Sequence, residues 1–147
     1  MIIKAVVQIN APLQRVWNVF ADIRHWKDWN PVCRECRFEA GNALVKGACI
    51  SFELNPLILP MRIAPQVTHC APGKKVVWEG SRLGIHAAHE FDFNEKSGGV
   101  ELVSTEVFSG PLLIFARMIG VPSRLHGLTI RLMEAIKKAS ESPAVGA

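Results

Sequence analysis

The chain predicts an α+β domain, a curved antiparallel sheet wrapped around a long C-terminal helix, with elements in the order β-α-α-β6-α. Three observations carry the prediction. A β-branched opening run leads directly into an amphipathic helical stretch, the middle of the chain alternates with a period of two, and the last third returns to helical spacing. With 147 residues, 49% apolar and 20% charged, one hydrophobic core of ordinary domain size is expected.

The first strand is Ile2 to Ile9. Asn10 is placed to cap the helix that Pro12 admits in its first turn. From Pro12 to Ala21 the residues Leu13, Val16, Trp17 and Phe20 recur at steps of three and four, which gives one buried face. Asp22 then caps a second short helix that runs through Trp29 and ends before Pro31, because a residue preceding proline is pushed out of the helical region. From Val32 to Ser109 the alternation predicts six strands: Val32 to Glu39, Val45 to Leu54, Met61 to Cys70, Lys75 to Gly80, Ile85 to Asn94 and Val100 to Phe108. Gly41-Asn42, Pro72-Gly73 and Ser97-Gly98-Gly99 punctuate them as turns. The helical region after Gly110-Pro111 is expected to break at Gly120-Val121-Pro122, with Ser123 capping a new helix. Its stripe Leu125, Leu128, Leu132 and Ile136 faces the sheet. Residues 1–142 read as one domain and 143–147 as a frayed tail. A sheet this long twists and curls, so wrapping it around the last helix leaves an internal volume between them.

Composition narrows the function. Scattered Gly and Pro argue against fibrous or low-complexity classes. The apolar stretches Pro56 to Met61 and Gly110 to Ala116 fall well short of the roughly 20 residues that cross a bilayer, so no membrane span is expected. No signal-peptide pattern is visible, which points to the cytoplasm. Seventeen Lys and Arg against 13 Asp and Glu give +4, but the basic residues are dispersed. No nucleic-acid partner is expected. Cys33 and Cys36 are spaced as CxxC, yet on a strand starting at Val32 they point to opposite faces, so all four cysteines are expected reduced and space-filling. The five histidines lack metal-ligand spacing, and nucleotide-binding and nucleophile-elbow signatures are missing, so neither metal nor cofactor is expected.

The motifs Asn10-Ala11-Pro12, Val16-Trp17, Asp22 and Trp26-Lys27-Asp28-Trp29-Asn30-Pro31 resemble the opening of START-like, or helix-grip, proteins, particularly the polyketide cyclase/dehydratase-like group. Val77-Trp78-Glu79-Gly80, His89-Glu90-Phe91-Asp92-Phe93 and Glu106-Val107-Phe108-Ser109-Gly110 follow in the expected order, so the resemblance spans almost the whole chain. It implies a START-like ligand-binding domain with a hydrophobic cavity under the C-terminal helix. Lipid and quinone carriers, polyketide cyclases, hormone receptors and co-chaperone domains share this fold, so it does not select an activity.

Strand parity supplies the sharpest site. Ile85, Ala87, His89, Phe91 and Phe93 share an inward face, and Leu102, Ser104, Glu106 and Phe108 share the matching one. A two-residue turn at Ser97-Gly98 pairs Lys96 with Gly99 and sets His89 opposite Glu106. That pair reads either as an acid/base pair able to hold a proton near neutral pH or as a mutually satisfied buried pair. Phe52, Trp78, Ala87, Phe91 and Phe108 read as cavity-lining or core residues. The apolar loop Asn55 to Pro60, with Leu57, Ile58 and Leu59, is expected either to act as a lid that meets Leu113 and Met118 of the segment Leu112 to Ile119, or to be a stiffened turn. Trp26 and Trp29 are expected to stack at the helix-strand junction.

Three functions remain in view. The favoured one is binding of a small hydrophobic molecule such as a lipid, isoprenoid, quinone or aromatic polyketide. The second is a cyclase- or dehydratase-like enzyme using His89 and Glu106. The third is a domain binding a protein partner through the sheet edge or the apolar loop, as co-chaperone and toxin-like relatives do.

Overall fold

The β-branched opening forms strand β1, Ile2–Ile9, and the amphipathic stretch after it forms helix α1, Leu13–Ala21, in a computed structural model that describes residues 1–54 and 60–143. A 3-10 turn, Ile23–His25, leads into the short helix α2, Trp26–Trp29, which gives way at Asn30 to extended backbone before Pro31. The strands that follow are β2 Glu35–Ala40, β3 Cys49–Leu54, β4 Met61–Ile63, β5 Gln66–Ala71, β6 Lys75–Arg82, β7 Ile85–Lys96 and β8 Gly99–Ser109. Helix α3, Leu113–Met118, and helix α4, Val121–Glu141, complete the chain. All of these strands belong to one antiparallel sheet in the order β1-β8-β7-β6-β5-β3-β2, with β4 paired to β3. The architecture is the expected α+β one, a curved sheet around a long C-terminal helix.

Several local expectations are corrected. The strand expected from Met61 to Cys70 is two strands, interrupted at Ala64-Pro65, because proline supplies no N–H to a ladder. The N-cap of α1 is Pro12, not Asn10, and no side chain caps it. Instead, the Asn10 backbone N–H donates to Glu141 at 2.7 Å. Asp22 does not cap either: its carboxylate accepts from the ring of His25 at 2.8 Å. Helix α4 begins two residues before Ser123, directly after Gly120 in the left-handed region. The strand β2 begins at Glu35 rather than Val32, which leaves Cys33 in the preceding turn. Freed from the alternation of a strand, Cys33 reaches Cys36, and the two form a disulfide. Only Cys49 and Cys70 are free thiols. Of the expected tail, residues 144–147 lie outside the described residues.

The core is built around α1. Phe20 is fully buried and meets Trp17, Trp26, Trp78, Phe91 and Phe93, with its closest ring, Phe91, at 4.8 Å between centroids. Such edge and stacked pairs add to the burial of area itself. The C-terminal half of α4 closes the other side with Leu132, Met133 and Ile136. That half is also tied to its neighbours by polar bonds: Arg15 of α1 donates to the carbonyls of Ser140 and Ser142, and Lys137 donates to the Gln8 carbonyl. The N-terminal half of α4 has no comparable clamp to β1 or α1 among the described residues. It lies as a roof over the open part of the concave sheet.

Candidate functional site

The Ser97-Gly98 turn pairs Lys96 with Gly99, and the register that follows places His89 of β7 opposite Glu106 of β8. Both side chains are nearly buried, and His89 Nε2 stands 3.9 Å from a Glu106 carboxylate oxygen. At 2.7 Å the same nitrogen shares a hydrogen bond with the hydroxyl of Ser104, the fully buried inward neighbour of Glu106 on β8. On the other side Glu106 accepts a hydrogen bond from Thr129 of α4, whose hydroxyl also lies 3.0 Å from the Leu125 carbonyl. A chain of polar groups therefore runs from sheet to roof.

The environment around this chain is aromatic. His89 stacks on Phe91 with 4.0 Å between centroids and meets Trp78 edge-on at 5.7 Å. Burial pushes the His89 pKa below its ordinary value of 6.5, and the Glu106 carboxylate, which raises it, is the smaller influence. With its pKa lowered from 6.5, the imidazole favours its neutral form at pH 7. A neutral imidazole can accept a proton, and the adjacent carboxylate can then hold the imidazolium.

His89, Glu106 and Thr129 open onto a cavity of about 90 Å3 between sheet and roof. Trp26, Phe52 and Trp78 form its aromatic wall, Leu54 and Ile63 its edge, and Leu125, Leu128 and Leu132 its ceiling. Asn30, Val32 and Cys33 close the end beside α2. Asn30 spends its side-chain oxygen on the Val32 N–H at 3.0 Å, and its amide nitrogen has no acceptor among the described residues.

Of the expected lining residues, Phe52 and Trp78 are in the wall. Phe91 is not: α1 covers the sheet there, and Phe91 is fully buried against Phe20, so the cavity begins only where α1 ends. Ala87 pairs with Gly80 and with Phe108, two residues beyond His89 toward α3, and neither Ala87 nor Phe108 borders the cavity. Strand parity reports the inward face but not how far along it the covering helix extends. Leu113 is half-buried, and Met118 is exposed to solvent, because the fully buried position of α3 is Ala116 and Met118 lies off that face. Leu57, Ile58 and Leu59, and with them the expected lid, lie outside the described residues. Sequence reasoning missed Trp26 and Asn30 as wall residues and Thr129 as a polar member of the site. Thr129 had a signal, being the one hydroxyl set within the apolar stripe Leu125, Leu128, Leu132 of α4.

The fold matches several known structures over nearly their whole length. Zhui aromatase/cyclase from Streptomyces sp. R1128 superposes with a TM-score of 0.85 at 14% identity, covering 100% of this chain and 98% of the other. Ginseng major latex-like protein 151 from Panax ginseng gives 0.79 at 8% identity, covering 97% and 98%. A START superfamily protein from Mycobacterium smegmatis gives 0.70 at 14% identity, covering 95% and 94%. Identities this low speak for the helix-grip fold alone. No curated protein matches the chain in sequence. The family model described as polyketide cyclase/dehydrase and lipid transport, however, matches residues 2–141, and the chain belongs to that family.

Proposed function

We propose that the protein binds a small hydrophobic molecule of the lipid, isoprenoid, quinone or aromatic polyketide kind between sheet and α4, with a ligand carbonyl or hydroxyl meeting His89, Glu106 and Thr129. The observation that carries this reading is the cavity itself, whose wall is apolar except for that polar cluster and Asn30. Sites of this type take roughly 300–1,000 Å3 for a drug-sized ligand, several times the present 90 Å3. An occupant of that size therefore lifts the roof. The half of α4 that would move is the one bearing Leu125 and Leu128, since Arg15, Asn10 and Lys137 hold the other end.

The test is to fill the space. Native mass spectrometry of protein from its own host should show a bound apolar molecule, and Leu128→Trp should remove it while the circular dichroism spectrum stays unchanged. Equal retention of anilinonaphthalene sulfonate by the folded variant and the parent would exclude this cavity as the site.

A second reading is favoured by one observation, the neutral imidazole beside a carboxylate in an apolar pocket. In a cyclase-like reaction His89 Nε2 would take the proton from a ligand CH2 flanked by two carbonyls, and the resulting enolate would attack a carbonyl elsewhere in the same chain. The imidazolium, held by Glu106, would then return its proton to the new alkoxide. General-base catalysis of this kind contributes about 10^2 to 10^4 in rate, so His89→Ala should lower kcat by that factor with a poly-β-keto thioester while binding persists. Undiminished turnover by His89→Ala would remove the imidazole from the chemistry and leave the binding reading.

A further inference from the structure

The end of the molecule formed by the β6–β7 turn and α3 combines features that folding does not explain. Leu83, Ile114, Phe115, Met118 and Ile119 are between 60% and 77% exposed. Among the described residues Leu83 is the only non-glycine with positive φ, at 52°, and it shares a two-residue turn with Gly84, where φ is 72°. Turns of this kind ordinarily take Asn-Gly or Asp-Gly, because a β-carbon is costly there. A leucine in that position carries backbone strain and gains no burial in return. The turn also adjoins the segment that leads into α3: a β-carbon on Gly84 would stand 3.1 Å from the Leu112 side chain, and Gly110 packs on the Gly84 carbonyl. The turn that carries Leu83 therefore lies against the segment that leads into α3, at the same end of the molecule as its exposed apolar residues.

Charge marks the same end. No Asp or Glu occurs from Gly80 to His89 or from Val107 to Met133, whereas Arg82, Arg117 and Arg124 are exposed there. None of these three guanidiniums has a carboxylate partner among the described residues; Arg82 donates instead to the Arg62 carbonyl at 2.8 Å.

We propose that this end docks on an anionic lipid surface, with Leu83, Phe115, Met118 and their apolar neighbours entering the acyl boundary and Arg82, Arg117 and Arg124 meeting lipid phosphates. The pairing of large apolar side chains with nearby unpaired arginines is what an interfacial helix needs. A second copy of the chain is a poorer occupant. A two-fold contact through this patch would bring guanidiniums together with no carboxylate to receive them. Docking of this kind is independent of what the cavity holds.

Flotation with vesicles of equimolar phosphatidylcholine and phosphatidylserine should recover the protein, vesicles of phosphatidylcholine alone should not, and added salt should weaken recovery. Arg117→Gln should weaken binding about fivefold, and Phe115→Ser with Met118→Ser should weaken it by about tenfold or more. Leu83→Asn separates the two roles of that residue, because asparagine tolerates positive φ. It should raise the melting temperature and lower vesicle binding together. Failure to float, equal binding of neutral vesicles, or unchanged binding by the folded variants would overturn the proposal. So would a dimer dissolved by Phe115→Ser, which would assign the patch to self-association, or capture of soluble polyglutamate in place of vesicles, which would assign it to an acidic protein.

Discussion

Glu106 and Thr129 join the sheet to its roof across the cavity, and Thr129 has one hydroxyl hydrogen for two neighbouring acceptors, the Glu106 carboxylate and the Leu125 carbonyl. Thr129→Val keeps the shape and removes the donor. A nearly buried carboxylate that loses such a bond costs about 1–2 kcal/mol, so the variant should unfold at lower urea. A double-mutant cycle with Glu106→Gln should show a coupling of at least about 0.5 kcal/mol. Additive losses would mean that the contact does not latch the roof.

The depressed pKa of His89 makes stability depend on pH. The unfolded chain takes up a proton near the ordinary value of 6.5, while the folded chain resists it. Between those two pKa values the unfolded state binds more protons, so stability is complete above the unfolded pKa and declines as pH falls below it. The slope from this one group reaches at most about 1.4 kcal/mol per pH unit. Urea titrations from neutral pH downward should show a shallower decline for His89→Gln than for the parent. Identical slopes would mean that the imidazole is not held neutral by the fold.

Phe20 has five aromatic neighbours, of which Trp78, Phe91 and Phe93 connect α1 to the sheet. Phe20→Ala should cost about 3–5 kcal/mol. Trp29 touches only Trp26 in this network and is partly exposed, so Trp29→Leu should cost well under half as much. Comparable losses in chemical denaturation would show that α1 is not the centre of the core.

Two glycines should respond in opposite directions. A β-carbon at Gly110 would stand 2.2 Å from the Gly84 carbonyl oxygen, at a φ of 125°, so Gly110→Ala forces the β6–β7 turn away from the start of α3. Gly127 lies inside α4 with nothing near its missing β-carbon. Alanine there gains helix propensity worth about 1 kcal/mol. Thermal melts should rise for Gly127→Ala and fall for Gly110→Ala, and a fall for both would place an additional constraint on the roof helix.

The β7–β8 hairpin is legible in the residues themselves, because a two-residue turn and a period of two leave one register, and that register brings His89 to Glu106. The apolar stripe of α4 is legible for the same reason, its spacing being local. What escapes is set by distance along curved surfaces. Phe91 and His89 share a face, yet one is core and the other cavity wall, because α1 ends between them. Trp26 becomes a wall residue through the turn after α1, whose direction no periodicity records. The cysteine pairing turns on a strand beginning at Glu35 rather than Val32, a shift too small for alternation to detect.

Two of the four tryptophans, Trp26 and Trp78, stand in the cavity wall, and Trp78 meets the His89 ring edge-on. Indole emission depends on local polarity, and a protonated imidazole in contact with an indole quenches it. The protein therefore carries its own optical reporter. A molecule entering the cavity would shift the emission of Trp26 and Trp78, and protonation of His89 would dim Trp78, so one unlabelled sample could report a ligand and a proton.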